Sequence, residues 1–225
     1  MRVLVLDTAS AICAAGLHDT VADRLCAQTE LIGTGHAERL MAMVSDVLAE
    51  AAIAPREVDL IAATVGPGSF TGVRVGLSAA LGLAQALGAP VCGVTTLEAV
   101  AASALAAGAA APLLVAIDAR RGEVHAQLFA GDGTPLNAPA LLPLAEAAGL
   151  CANAKACAGS GATLVEPTVP ALMQDRATGD LRDIARIATA RHAAGRDLPP
   201  RPLYLRGADA RAQTGFALAR AGASS

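Results

Sequence analysis

Short apolar runs alternate with amphipathic stretches along the first half of the chain, and their order predicts one α/β unit. Three strands joined by tight turns come first, and connections this short require antiparallel pairing; they are predicted at residues 2–8, 12–18 and 24–30. The elements predicted next are a helix at 36–52, a buried strand at 58–65, a helix at 71–87, a strand at 91–94 and a helix at 97–107. The order β-β-β-α-β-α-β-α is that of a complete α/β unit.

A second unit begins after an alanine-rich joint that ends at Pro112. Like the first, it opens with an apolar strand that ends in an aspartate, at Asp7 and Asp118 respectively, and a turn and a returning strand follow. This similarity suggests a duplicated architecture, with a first lobe at residues 1–108 and a smaller second lobe at 109–225. The elements predicted in the second lobe are strands at 113–118, 123–129 and near 154–159, a helix at 181–194, and a mostly helical tail at 203–220 that packs back on the first unit.

Composition and charge narrow the class of protein. Hydrophobic residues make up 54% and charged residues 16%, which is ample for buried cores. The net charge of −3 gives no strong basic field that could hold nucleic acid alone. Five cysteines without a C-x-x-C pair indicate reduced thiols and a cytoplasmic protein. We expect no signal peptide, because the N-terminus runs directly into a predicted strand. We also expect no membrane span, because Gln85 and Pro90 interrupt the longest apolar stretch.

Two turns that follow strands are candidate phosphate loops. Residues 7–10 read Asp-Thr-Ala-Ser, and actin-like ATPases begin their phosphate loop with a hydroxyl-rich turn after a strand that ends in aspartate. The alternative is that Asp7 and Ser10 cap an ordinary hairpin. At the corresponding turn after Asp118, Arg120 and Arg121 replace small residues. We interpret that turn as a degenerate nucleotide site or a partner contact.

A glycine-rich turn, Gly-Pro-Gly-Ser-Phe-Thr-Gly at residues 66–72, lies between a predicted strand and a predicted helix. It lacks the lysine of a P-loop, the spacing of a dinucleotide fingerprint and the G-x-S-x-G pattern, so Ser69 is not expected to be a nucleophile. We favour a structural role, in which the glycines permit a sharp reversal and close packing, over a phosphate site. No cofactor is expected to be required. Weak binding of a nucleotide at a vestigial site is the alternative, with candidate residues Asp7, Ser10, Gly66, Gly68 and Asp118.

Two predicted helices carry more apolar surface than a small domain needs. The helix at 36–52 has a core stripe at helical spacing, and the helix at 71–87 is apolar around most of its circumference. Such a helix must be buried by its own domain or by another chain. We favour a partner interface over an ordinary core. The candidate interface residues are Ala37, Leu40, Met41, Val44, Val47, Leu48, Arg74, Leu77 and Leu81.

Four segments, taken in order, resemble the TsaB family, also called YeaZ. They are DTAS at 7–10, VGPGSFTGVRVG at 65–76, DARRGE at 118–123 and LYLR at 203–206. The resemblance covers nearly the whole chain and implies an actin/Hsp70/sugar-kinase-like (ASKHA) α/β fold with a truncated second lobe. It also implies a role in making threonylcarbamoyladenosine beside the anticodon of tRNAs that read codons starting with A.

The resemblance further implies that catalysis belongs to a paralogous subunit, TsaD, which binds a metal through a His-x-x-x-His pair. Thr96 and Val100 stand at the matching positions, and neither valine nor a lone threonine can hold a metal. We therefore expect no catalytic residues and no metal site. The same lack of metal ligands argues against metallopeptidase activity. The alternative from the residues themselves is an actin-like or sugar-kinase-class ATPase that uses Asp7 and Asp118.

The implied partners follow from the same resemblance. They are a TsaD-like catalytic subunit, a TsaE-like ATPase, a second copy of the chain when it is isolated, and tRNA only through the complex. The first two helices are implied to form the contact with TsaD or with the second copy. On this basis we expect Met41→Glu and Val44→Asp to abolish partner binding and to leave the fold intact.

Overall fold

Two five-stranded mixed sheets form the framework of the chain, in a computed structural model whose described residues are 1–166, 171–172 and 177–206. The strands of the first sheet are β1 (Arg2–Asp7), β2 (Ile12–Asp19), β3 (Arg24–Leu31), β4 (Leu60–Thr64) and β5 (Val91–Val94). The strands of the second sheet are β6 (Leu113–Arg120), β7 (Glu123–Phe129), β8 (Ala140–Pro143), β9 (Ala156–Ala158) and β10 (Ala171–Leu172).

The two sheets have the same topology. The strand order is β3-β2-β1-β4-β5 in the first and β8-β7-β6-β9-β10 in the second. In each sheet the central strand pairs antiparallel with the strand that follows it and parallel with the fourth strand. This identity confirms the predicted duplication and the ASKHA-like fold class. The last three strands of the second sheet are only four, three and two residues long, so the second lobe is the smaller one.

In the part of the chain that the structure describes, six α-helices accompany the strands: α1 (His36–Ala51), α2 (Phe70–Leu87), α3 (Thr96–Ala106), α4 (Leu144–Cys151), α5 (Ala162–Val165) and α6 (Leu181–Ala193). Local chemistry sets several of their ends. The Ser69 hydroxyl caps α2 by accepting from the Gly72 amide, and Gly88 ends α2 in the left-handed conformation. Thr95 and Glu98 form a reciprocal capping box at the start of α3.

Both faces of the first sheet are covered by helices. Alternate residues of β1 point to opposite sides of the sheet and so pack against different helices. Leu4 and Leu6 pack against α1 and α2, whereas Val3 and Val5 pack against α6. The last helix of each unit crosses to the other unit. Helix α3, which precedes residue 108, packs on the second sheet, and α6, which follows residue 109, packs on the first. The boundary between residues 108 and 109 therefore separates the strands of the two sheets but not the helices that cover them.

Most predicted elements of the first unit occur within two residues of their predicted bounds. Four elements of the second unit, where the elements are short and alanine-rich, are not predicted from the sequence: β8, β10, α4 and α5. The tail at 203–220 was predicted to be mostly helical, and this is wrong for residues 203–206, which are not helical. The remainder of that predicted tail lies outside the described residues.

Helix α2 would be long and apolar enough to cross a membrane by length and composition alone. One face of this helix nevertheless packs on the first sheet, through residues Gly72, Val73, Gly76, Leu77 and Ala80.

Candidate functional site

The carboxyl group of Asp7 is enclosed and hydrogen-bonded within its own chain. Its side chain is at the carboxyl end of β1, and the residue is only 1% exposed. Oδ1 accepts from the Ala9 amide at 3.0 Å and from the Thr64 hydroxyl at 2.7 Å, and Oδ2 accepts from the Thr178 hydroxyl. Burial raises the pKa of Asp7 above its usual value, against the lowering effect of the hydrogen bonds from Ala9 and Thr64. Both carboxyl oxygens are therefore engaged inside the protein.

The rest of the 7–10 turn is held against the start of α2. The Thr8 hydroxyl donates to the Gly72 carbonyl at 2.7 Å, and the Ser69 amide donates to the Ala9 carbonyl at 2.7 Å. A Cβ at Gly72 would lie 2.0 Å from the Thr8 carbonyl oxygen, and one at Gly68 would lie 2.1 Å from that of Ala9. The glycines thus allow the close packing that their spacing predicts. The space beside the turn is filled by α2.

Ser10 and Gly66, the other candidates of the first lobe, also have partners within the chain. The Ser10 hydroxyl accepts from the Ile12 amide at 3.0 Å, which is the hairpin-capping role given as the alternative to a phosphate loop. Gly66 adopts a positive φ of 92°, and its carbonyl accepts from the Thr96 amide at 2.8 Å. These contacts assign both residues to the connections between elements.

Asp118 begins a turn that the chain closes with its own arginines. Its carboxylate accepts from the Arg120 amide at 2.8 Å and lies 3.4 Å from the Arg120 guanidinium. Arg206 donates to the Ala119 carbonyl at 3.1 Å and to the Glu123 carboxylate at 2.5 Å. Within the described ranges, no hydrogen bond or ion pair joins Asp118 to Asp7. The two aspartates therefore have separate sets of partners.

The outer faces of α1 and α2 form an open groove of about 390 Å³. Five of the predicted interface residues are buried in the core under the two helices, although Leu40 also lines the floor of the groove: Leu40, Val44, Val47, Leu48 and Leu77. The four that are exposed are Ala37, Met41, Arg74 and Leu81. An ordinary core accounts for the buried five without a partner. Only the four exposed residues are accessible to a partner at this surface.

A family model described as "TsaD: tRNA N6-adenosine threonylcarbamoyltransferase" matches residues 21–188. A solved structure of YeaZ from Pseudomonas aeruginosa is similar, with a TM-score of 0.77 and 31% identity over 91% of this chain and 99% of that one. This chain belongs to the TsaB/YeaZ family.

Two further relatives show how far the likeness extends. The TsaB of Escherichia coli, described as a tRNA threonylcarbamoyladenosine biosynthesis protein, is 39% identical over 125 residues, which is 56% of this chain and 53% of that protein. The matched region thus spans about half the length of that relative. An uncharacterised protein of Mycobacterium tuberculosis is 34% identical over 217 residues and covers 93% of both chains.

In this member of the TsaB/YeaZ family, Thr96 and Val100 are fully buried. Val100 packs in the core between α3 and the second sheet, and the Thr96 hydroxyl has no hydrogen-bond partner. Among the residues that the structure describes, no group of three or more His, Cys, Asp or Glu side chains could hold a metal ion. The donor set at these two positions does not fit the metal that a histidine pair would bind.

Two aromatic residues beside the groove, Phe70 and Tyr204, are not among the site residues predicted from the sequence. They are 58% and 49% exposed, and their ring centroids lie 5.5 Å apart. The guanidinium carbon of Arg74 lies 3.6 Å from the centroid of the Phe70 ring, and Arg74 Nε donates to the Tyr204 hydroxyl at 2.8 Å. The sequence feature that could have pointed to these two residues is the rarity of aromatic side chains, since the chain has three Phe, one Tyr and no Trp.

Proposed function

We propose that the chain is a non-catalytic subunit of the assembly that makes threonylcarbamoyladenosine in tRNA. The observation that carries this proposal is the burial of the Asp7 carboxyl group and its hydrogen bonding within the chain. An actin-like ATPase would need this carboxylate beside its nucleotide, but here it is buried and hydrogen-bonded to Ala9, Thr64 and Thr178. The names of the TsaB relatives support a role in tRNA threonylcarbamoyladenosine biosynthesis. In the finer form of the proposal, the modified adenosine lies next to the anticodon of tRNAs that read codons starting with A.

The proposed partners are a TsaD-like catalytic subunit, which docks on the outer faces of α1 and α2, and a TsaE-like ATPase. The isolated chain pairs with a second copy, and tRNA is reached only through the complex, in the cytoplasm. The docking surface is supported by two exposed apolar side chains on neighbouring helices. Met41 on α1 and Leu81 on α2 are each 48% exposed.

The experiment that tests the role is reconstitution. The TsaD-like and TsaE-like subunits, the enzyme that forms the carbamoyl-adenylate, ATP, threonine, bicarbonate and tRNA are combined with and without this chain. Modified adenosine is then quantified by mass spectrometry. We expect product only when the chain is present, and we expect it to persist with Asp7→Asn and with Asp118→Asn. Equal product without the chain would contradict the proposal.

The ATPase alternative uses the same two aspartates and is separated by a binding measurement. Calorimetry on the isolated chain would show saturable binding of ATP, weakened by Asp118→Asn, if the chain were a nucleotide-hydrolysing enzyme. We expect no such binding, because Arg120 and Arg206 occupy the second turn.

The docking surface is tested with a matched pair of variants. Met41→Glu places a charge in the groove, whereas Val21→Glu places one on the turn between β2 and β3, where Val21 is 87% exposed. Titration with the TsaD-like subunit is expected to show lost affinity for Met41→Glu and unchanged affinity for Val21→Glu. Equal affinities would move the docking surface elsewhere on the chain.

A further inference from the structure

Among the described residues that line the groove between α1 and α2, only one is charged. The lining residues are Ala37, Leu40, Met41, Thr71, Arg74, Val75, Ser78 and Ala79. Seven of these eight are apolar or hydroxyl-bearing, and Arg74 is the exception. A partner that covers this groove must therefore present an apolar surface, together with a group that satisfies one cation as it loses water.

The Arg74 side chain is held by two contacts within its own chain. One face of its guanidinium lies on the Phe70 ring, with 3.6 Å between the guanidinium carbon and the ring centroid. Nε donates to the hydroxyl of Tyr204, which lies 130 positions further along the chain. An arginine that is already ordered loses less rotamer freedom when it binds than a freely moving side chain does.

The terminal nitrogens of Arg74 have no partner in the described part of the chain. A guanidinium carries five N–H donors, and the contact with Tyr204 uses the one on Nε. Other arginines of the chain differ, since Arg39 pairs with Glu30 and Arg191 pairs with Glu98. Among the residues described, no acidic side chain forms an ion pair with Arg74. Within the described ranges, the forked end of the guanidinium is therefore not used by the chain itself.

We infer that Arg74 is a preorganised receptor for a carboxylate, an Asp or Glu side chain that the TsaD-like subunit inserts at the end of the groove. Two parallel N–H donors on a planar fork match the two oxygens of a carboxylate, and the covered groove excludes water from the pair. Tyr204 acts as a positioning residue because it orients the guanidinium through Nε. The inference rests on the proposed function and names the chemistry of its partner.

Titration calorimetry of the full-length TsaD-like subunit from the same organism into variants of this chain tests the inference. Arg74→Gln removes the charge, and we expect Kd to rise about tenfold or more. Arg74→Lys keeps the charge without the fork and should lose affinity as well. Tyr204→Phe keeps the ring but removes the oxygen that accepts from Nε, so we expect a smaller loss. That smaller loss should disappear when Tyr204→Phe is combined with Arg74→Gln.

Salt dependence provides a second readout. The affinity of the unchanged chain should fall as salt is raised, and that of Arg74→Gln should fall less.

If Met41→Glu abolishes binding while Arg74→Gln binds as the unchanged chain does, the docking surface is supported and the carboxylate receptor is wrong. If neither variant changes Kd, the proposed surface itself fails. Loss of self-association in Arg74→Gln, with unchanged binding of the TsaD-like subunit, would also overturn the inference, because a second copy would then supply the carboxylate.

Discussion

The Thr8 hydroxyl donates a hydrogen bond to the Gly72 carbonyl at 2.7 Å, and this contact joins the turn after β1 to the first turn of α2. The two residues are 64 positions apart. The backbones can approach this closely because Gly72 has no Cβ. The contact fixes α2 against the central strand and so places the helix that carries Arg74. A turn whose sequence is typical of a phosphate loop thus positions the proposed docking helix.

Gly72→Ala is expected to destabilise the protein by about 3 kcal/mol or more. Its Cβ would lie 2.0 Å from the Thr8 carbonyl oxygen, so β1 or α2 would have to move. Gly82→Ala is the matched control in the same helix, because a Cβ there meets nothing within 4 Å. We expect the control to be neutral or to stabilise by up to about 1 kcal/mol. Urea unfolding of both variants makes the comparison, and equal stabilities would contradict the close-packing role.

Val44→Asp and Met41→Glu are expected to differ in stability, which corrects the expectation that both leave the fold intact. Val44 is 3% exposed in the core, whereas Met41 is 48% exposed. A charge at position 44 would be buried without a partner and should cost about 3 kcal/mol or more. Met41→Glu should stay within about 0.5 kcal/mol of the unchanged protein. Chemical denaturation followed by circular dichroism measures both, and a stable Val44→Asp protein would refute the core assignment.

Asp7→Asn is expected to change the pH dependence of stability. Burial raises the pKa of Asp7 in the native chain above the value of 3.8 that applies when the chain unfolds. The native chain therefore retains this proton at pH values where the unfolded chain has released it. The stability that the group contributes is complete below 3.8 and is lost as the pH rises through the native pKa.

The measurement for Asp7→Asn is the free energy of unfolding from acidic to neutral pH, compared with the unchanged protein. Asparagine can still accept from Ala9 and Thr64, and the Thr178 hydroxyl can turn to accept from its amide. We expect the stability of Asp7→Asn relative to the unchanged protein to increase as the pH rises above about 4. A constant difference across this range would show that Asp7 has the same pKa in both states.

The five cysteines are expected to be unreactive in the native protein. All five are free and buried. Burial raises the pKa of the Cys157 thiol to about 12, and its sulfur lies 3.4 Å from that of Cys151. Because the thiolate is the reactive form, a disulfide reagent should label none of them rapidly at mildly alkaline pH, and all five once guanidinium chloride unfolds the chain. Rapid labelling of one native thiol would show that its surroundings open.

The periodicity of the sequence was sufficient for the elements of the first unit. Its apolar runs are long and bounded by glycine or proline, as at Gly88 and Pro90, so local preference and burial agree. Elements α4 and β8 of the second unit are not predicted by this periodicity. Alanine-rich segments of four to eight residues carry little periodic signal, and only their packing on β6 and β7 decides their state.

The candidate site was predicted less completely than the fold. The glycine spacing at 66–76 indicates close packing, since only glycine permits backbone approach, and this is a local property of the chain. The sequence could not separate buried from exposed members of the apolar stripe on α1. Ala37 and Leu40 are both candidate interface residues by sequence, whereas the structure leaves Ala37 exposed and buries Leu40 to 1% exposure.

The sequence by itself determined the duplicated α/β plan, the absence of a histidine pair at Thr96 and Val100, and the glycines that hold α2 to the first turn, because each depends on residue type and spacing along the chain. Only the tertiary structure decided that Asp7 is enclosed by Thr64 and Thr178, and that Tyr204 orients Arg74. These contacts join residues 57 to 171 positions apart. No local pattern records them, since they arise from where the sheets and the returning C-terminal segment bring the side chains.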